Sequence, residues 1–290
     1  SLTLNGDALR ADRLLEMTDL PVSPAADAAT LFSIAGIRIK SGDRVAIVGR
    51  NGCGKSSLLK LIWQQYQTQM TSTSLVLHPR VTLGYYDQSL NQLADNDSLF
   101  EALEPFAPQP DVRKMALISA GFPWIRHAQR VSTLSGGERS RLLFIGLTLA
   151  CYSLLMLDEP TNHLDMEGKE ALAHTLQHFS GGVLLVSHDR QLIRQSCNRF
   201  WFIDEGELSE WHDLEAINAR IQETASELAA SKTVAEVVPD PHHHGDEILE
   251  KLLELELRLS DDLARKTKHQ KPQLQAQWRK EIEHLNSLLD

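Results

Sequence analysis

The sequence predicts an α/β protein: a parallel sheet covered by helices on both sides, interrupted by a helical insertion and followed by a helical hairpin. Three observations carry this. Residues 154–159 (LLMLDE) and 182–189 (GVLLVSHD) are short, almost wholly apolar runs, the pattern of strands buried on both faces. Helix-periodic segments near 166–179 and 190–198 follow them. A glycine-rich turn at 49–54 joins the apolar run RVAIVG (44–49) to a helical stripe of Leu58, Leu59, Leu61, Ile62 and Tyr66, which makes a strand–loop–helix unit.

Composition sets outer limits. With 290 residues, 42% apolar and 23% charged, the chain has material for one large core or two domains. Its net charge of −10 excludes a protein that coats nucleic acid with its whole surface and leaves room only for a local basic patch. Cys53, Cys151 and Cys197 form no CxxC pair, so neither a disulfide framework nor a structural zinc site is expected and a reducing, cytoplasmic setting fits. The longest apolar stretch, Leu142 to Leu157, has 16 residues and contains Thr148, Tyr152 and Ser153. That is too short and too polar for a membrane span. Asp7, Arg10, Asp12 and Arg13 are incompatible with a secretory signal.

Along the chain, 31–39 (LFSIAGIRI) reads as a strand, Ser41-Gly42-Asp43 as a turn, and 44–49 as a second strand. Residues 89–150 break the alternation with helical stretches set apart by Pro105, Pro108, Pro110 and Pro123, which makes them a helical insertion. The expected organisation is a domain over 1–222 with this insertion, a linker over 223–245 that lacks a sustained apolar period, and a hairpin over 246–290. The run His242-His243-His244 lies in the linker and reads as solvated. In the hairpin, Ile248, Leu252, Leu255 and Leu259 form one stripe and Leu274, Trp278, Ile282, Leu285 and Leu289 another, joined around Pro272 as in an antiparallel coiled coil. Arg265, Lys266, Lys268, Lys271, Arg279 and Lys280 make its tip basic, with no acid between Leu263 and Lys280.

The chemistry is concentrated in three places. Gly49, Arg50, Asn51, Gly52, Cys53, Gly54, Lys55, Ser56 and Ser57 match the phosphate-loop pattern GxxxxGK[ST]. In such a loop backbone N–H groups cradle phosphates, Lys55 reaches the outer phosphates and Ser56 offers a hydroxyl to Mg2+. Asp158 and Glu159 end an apolar run side by side, an arrangement that raises at least one pKa unless a cation offsets it. Beside a phosphate loop, Asp158 would hold the water shell of the magnesium ion, and Glu159 would face the attacking water as general base or orienter. Ser135, Gly136, Gly137 and Glu138 open a helix, and the free N–H groups of such a helix start offer a second anion site.

Taken in order, these motifs resemble the ATP-binding cassette (ABC) ATPases over most of residues 1–215: Walker A loop GRNGCGKSS, glutamine loop YYDQ ending at Gln88, signature LSGGE, Walker B LLMLDE and switch histidine His188. The resemblance implies a P-loop NTPase fold of the ABC nucleotide-binding type, ATP and Mg2+ as ligands, Gln88 near the metal and water, and His188 at the γ phosphate. It further implies that Ser135 to Glu138 contact the ATP of a second cassette in a head-to-tail sandwich, so each chain supplies two different half-sites. Residues 162–165 are expected to face that partner cassette.

The run EPTNHLD is similar to that of ABC-F proteins, which act on the ribosome in translation or antibiotic protection. Such proteins carry two cassettes, so the chain is expected to be the C-terminal half of a longer protein, or else to end in the start of the linker between cassettes. The alternatives are the ATPase subunit of a membrane transporter, docking through 89–150, and a non-hydrolysing cassette, which the presence of Lys55, Asp158, Glu159 and His188 disfavours. One departure stands out. ABC domains usually stack adenine on an aromatic residue 20 to 30 positions before the Walker lysine, and here only Phe32, at the edge of that window, is available. Loose base recognition is the corresponding expectation.

Overall fold

The computed structural model describes residues 9–87, 93–235 and 243–289. The chain forms two compact units, 1–222 and 223–290. The first is built on β1 (Leu15–Val22), β2 (Phe32–Ile39), β3 (Arg44–Gly49), β4 (Leu75–Leu77), β5 (Leu83–Tyr86), β6 (Leu154–Asp158), β7 (Gly182–Val186), β8 (Arg199–Asp204) and β9 (Glu207–Trp211). These form one sheet in the order β4-β1-β2-β9-β8-β3-β7-β6-β5. The run β8-β3-β7-β6-β5 is parallel, whereas β1 pairs antiparallel with β2 and β4, and β8 antiparallel with β9.

The purely apolar strands are explained by cores on both faces. Val45, Ile47, Leu154, Met156, Leu184 and Val186 point into one core, together with Leu58, Leu59 and Ile62 of α1 (Lys55–Thr68). Their neighbours Ala46, Leu155, Leu157, Val183 and Leu185 point into the other. That second core takes Leu99 from α2 (Leu99–Ala102), Leu117 from α3 (Pro110–Ser119) and Leu142, Leu143 and Leu147 from α4 (Gly136–Leu149). It also takes Leu172 and Leu176 from α5 (Met166–His178) and Leu192 and Ile193 from α6 (Arg190–Ser196). Each fully buried leucine contributes about 1.5–3 kcal/mol, so the insertion is held by the same apolar core that covers the sheet.

Local chemistry sets the helix starts. Ser98 accepts the Glu101 N–H while the Glu101 side chain accepts the Ser98 N–H, a reciprocal cap that begins α2 before it ends after one turn. Asp165 caps α5 and Asp189 caps α6, each accepting a backbone N–H three residues on.

The expected linker over 223–245 is corrected. Its first part is helical, because α7 runs unbroken from Leu214 to Ala235. Its Ala, Glu and Lys residues are strong helix formers even without an apolar stripe. Residues 236–242, and with them His242, lie outside the described residues, and His243 begins α8 (His243–Leu263).

In the second unit α8 packs against α9 (Pro272–Leu289), and the turn between them contains a short 3-10 segment, Thr267–His269. Leu252 and Leu255 are buried and Ile248, Leu259, Trp278, Ile282 and Leu285 half-buried. Leu274, expected in the seam, is exposed, and Gln275 is buried in its place. The Gln275 side chain donates to Asp262 Oδ2 at 2.7 Å, and the Lys271 N–H donates to the same oxygen at 2.9 Å. Gln270 donates to the carbonyls of Leu263 and Arg265, covering the open end of α8.

Candidate functional site

β3, β7 and β6 are adjacent and parallel, so their carboxyl ends lie on one edge of the sheet, where open α/β sheets bind ligands. β3 delivers the phosphate loop, β6 delivers Asp158 and Glu159, and β7 delivers Ser187 and His188. In the register of β6 and β7, Asp158 faces Val186. A cleft of about 520 Å³ opens there, its lining including Asn51, Gly52, Lys55, Ser56, Glu159 and His188.

The loop needs glycine at two points. Gly52 and Gly54 have φ of 78° and 109°, and a Cβ on Gly54 would meet Leu31 Cδ1 and Phe32 Cε1 at 2.9 Å. Lys55 is buried, and its Nζ donates to the carbonyls of Gly49 at 2.7 Å and Arg50 at 2.9 Å. Ser57 also lines the cleft, whereas Gly49, Arg50 and Cys53 do not. Cys53 packs against the core beneath the loop, where burial raises its thiol pKa more than nearby Lys55 lowers it.

Asp158 is 1% exposed and Glu159 8%. Both carboxyls are raised above the ordinary carboxylate range, and burial is the largest cause for each. For Asp158 a hydrogen bond from Ser56 and the charges of Lys60 and Lys55 act against burial, and Asp87 adds to it. For Glu159, His188 and Lys55 lower the pKa and Asp158 raises it. Desolvation therefore outweighs the repulsion between the two acids, which the sequence had made the main concern. Asp158 Oδ1 is buried with no hydrogen-bond partner. A buried carboxylate oxygen left open beside the Ser56 hydroxyl fits a magnesium ion with its waters.

Glu159 sits at φ 50°, a left-handed conformation unusual for its type, and donates its N–H to the Val186 carbonyl at 2.8 Å. Its side chain lies 3.1 Å from His188 Nε2 and accepts the His188 backbone N–H at 3.3 Å. The acid is thus aimed by β7 from one side and by its own turn from the other. Gln88 lies outside the described residues.

The signature residues do not line this cleft. Ser135, Gly137 and Glu138 line a separate groove together with His163. The helix start is also less open than expected, because the Ser135 hydroxyl accepts the Glu138 N–H and Glu138 accepts the Ser135 N–H, each at 3.2 Å. Glu138 pairs with Arg126 at 2.6 Å, and that hydrogen-bonded pair keeps its pKa below the usual range despite the opposing effect of burial. Gly137 is required here by packing, since a Cβ would come within 2.7 Å of the His163 carbonyl. Neighbouring residues of one loop therefore serve both places: Asn162 lines the Lys55 cleft and His163 backs the signature. No sequence signal separated the two.

Phe32 is not available to a base. It is 1% exposed and packed in the first core, whereas Leu31, beside it, is 36% exposed and lines the cleft with Pro24. Among the described residues no helix is long and apolar enough to cross a membrane.

Comparison with known proteins agrees with this geometry. Residues 33–162 match the family model described as ABC transporter. The chain is 37% identical over 183 residues to rat ATP-binding cassette sub-family F member 3, covering 62% of this chain and 25% of that protein. It is 38% identical to Arabidopsis thaliana ABC transporter F family member 5, with 62% and 26% covered. With Saccharomyces cerevisiae Protein GCN20 the identity is 35%, with 61% and 24% covered. The chain thus spans about a quarter of the length of these relatives. In three dimensions it is similar to cbiO1 from Clostridium perfringens, part of the cbiONQ ABC transporter complex, with TM-score 0.57, 19% identity and 78% of this chain and all of that one covered. A putative metal-chelate type ABC transporter in an inward-facing conformation gives TM-score 0.56 and 19% identity, with 69% and 84% covered.

Proposed function

We propose that this chain, of which residues 33–162 match the ABC transporter family model and which has ABC-F proteins among its relatives, is an ATP-binding cassette (ABC) protein and a cytoplasmic, Mg2+-dependent ATP hydrolase. The observation that carries the reading is the meeting of Glu159, His188 and Lys55 at one sheet edge, with Glu159 held 3.1 Å from His188. The Lys55 ammonium and the loop N–H groups take the phosphates. Ser56 and Asp158 would hold a magnesium ion, which would supply positive charge against the phosphates. Glu159, desolvated and raised in pKa, accepts the proton of the attacking water, and His188 steadies that carboxylate and the outer phosphate.

Ser135 and Gly137 lie outside the Lys55 cleft, which supports the second part of the proposal: their ATP is the one bound by another cassette, in head-to-tail pairing. The third part is action on the ribosome, through rRNA contact by the basic hairpin tip. Arg265, Lys266, Lys268, Lys271, Arg279 and Lys280 are all exposed, as a phosphate-binding surface requires. The experiment is cosedimentation of the Glu159→Gln chain with ribosomes in the presence of ATP. Retention at moderate salt is expected, and clean separation would favour the transporter subunit instead.

A further inference from the structure

The hairpin helix α8 carries more apolar surface than its packing against α9 uses. Leu252 and Leu255 are 7% and 4% exposed and face the seam, whereas Leu249, Leu253 and Leu257 are 47%, 59% and 63% exposed. Residues four apart lie one above the other on a helix, so these three leucines form a single ridge. The ridge is about 12 Å long and turned about 130° around the helix from the seam, so α9, packed on the seam, leaves it open. Exposed leucines scattered singly are ordinary, but a contiguous apolar ridge rimmed by polar residues marks an interaction surface.

The rim decides the partner. About 60° to either side of Leu253 stand Glu250 and Glu256, both exposed. The cations of this stretch, Lys251 and Arg258, lie on the far side of the helix, and Arg258 is paired there with Glu254 at 2.5 Å. The ridge is therefore acidic along both flanks. A second copy laid antiparallel across it, Leu249 against Leu257 with the symmetry axis at Leu253, would set Glu250 beside Glu256 on each flank. A parallel copy would set each acid beside itself. Like charges juxtaposed in this way oppose association. The phosphates of a nucleic acid and the headgroups of an anionic membrane are repelled for the same reason.

We propose that this ridge docks an amphipathic helix of a basic protein, one that presents apolar side chains at four-residue spacing with Lys or Arg on either side of them. The apolar side chains of that helix cover Leu249, Leu253 and Leu257, and its cations meet Glu250 and Glu256. The Lys55 cleft takes no part, so the proposal stands or falls separately from the nucleotide chemistry. The hairpin then offers opposite charge at two places, cations at its tip and acids along α8.

The test is fluorescence anisotropy, with the full chain, of a fluorescein-labelled synthetic helix that carries leucines at four-residue spacing between lysine flanks. Saturable binding at roughly micromolar concentration is expected. Leu253→Ala together with Leu257→Ala should weaken it by about tenfold or more, with an unchanged melting temperature because both side chains are exposed. Glu250→Lys together with Glu256→Lys should reverse the preference, so that a glutamate-flanked version of the peptide binds better than the lysine-flanked one. Equal affinity of the lysine-flanked peptide for the alanine variant would reduce the contact to general attraction by an acidic chain and overturn the proposal. Failure of the parent chain to bind it saturably, or failure of the preference to reverse, would overturn it too. A concentration-dependent dimer in sedimentation velocity that the alanine changes abolish would give the ridge to a second copy instead.

Discussion

The sheet edge and the hairpin tip handle charge in opposite ways. At the edge, Asp158 keeps a buried oxygen with no partner, and its pKa is pushed up chiefly by that burial. At the tip, Asp262 is supplied with donors by its own chain: the Lys271 N–H, foremost, and the Gln275 amide hold its pKa below the ordinary value, with Arg265 and Lys271 adding their charge. One acid is left in need of a cation, and the other closes a turn. Because Asp262 is occupied by backbone and amide donors, and Arg265 approaches it only to 3.9 Å, the cationic side chains around it remain turned to solvent. A carboxylate with one open oxygen thus marks the proposed catalytic edge, and a satisfied one leaves the tip with open positive charge.

The largest effect expected from this contrast is at Glu159. Glu159→Gln keeps the shape and the hydrogen bond from the His188 N–H but removes the proposed base, so steady-state ATP turnover should fall by about 10²- to 10⁴-fold with nucleotide binding preserved. Unaltered turnover would move the base elsewhere. Next in size is the tip. Replacing Arg265, Lys266, Lys268 and Lys271 by Ala should lower rRNA affinity by about tenfold or more and flatten its logarithmic salt dependence by up to about one unit per lost phosphate contact. The Lys271 N–H that holds Asp262 survives that change, so the turn should persist and affinity alone should drop. Equal affinity for the altered tip would make it a solvated loop.

A smaller effect separates the two acids by structure. Asp262→Ala withdraws the shared acceptor of the Lys271 N–H and the Gln275 amide, and Gln275 is buried. Amide exchange at the start of α9 should quicken while exchange in β3 and β6 stays unchanged. Acid should act likewise. A carboxylate whose folded pKa is depressed stabilises the fold above its unfolded value, about 4, and that stabilisation is lost only as pH falls through the lower folded value. The hairpin should therefore keep its protection down to about pH 4 and lose it below.

Much of the candidate site was legible because it is local in sequence. Lys55 and Ser56 are fixed by one loop pattern, and Asp158 and Glu159 by the end of one apolar strand, so strand adjacency in the sheet was enough to bring them together. What depends on distant partners was not legible. β1 contains Pro21 and Asp19, residue types depleted in strands, and it is a strand because Leu15, Met17 and Val22 are buried against the rest of the core. Gln275 replaces Leu274 in the hairpin seam because Asp262, 13 residues earlier, needs a donor there. Phe32 could be assigned to core or cleft only once its pairing with Val22 set which face it takes. Continuation of α7 through 223–235 required helix propensity to be weighed above the missing apolar period.

The subtlest test compares the two states of Asp158. In a carboxyl whose folded pKa is raised, the native state binds more protons than the unfolded chain, so stability falls as pH rises through the interval between the unfolded value, about 4, and the folded one. Without nucleotide, ionising this buried carboxyl opposes folding. Asp158→Asn removes that charge at nearly constant volume, and the cassette should melt about 2–4 °C higher at pH 7 for each kcal/mol relieved. The gain should shrink as the pH is lowered toward the ordinary carboxylate range, where the protonated acid and the amide become alike. The same variant should lose the extra stabilisation that Mg2+ and ATP together give the parent chain, because the amide brings no negative charge to a metal ion. A lower melting temperature at pH 7 would instead mean that the Asp158 charge is already satisfied within the fold, and the contrast with Asp262 would collapse.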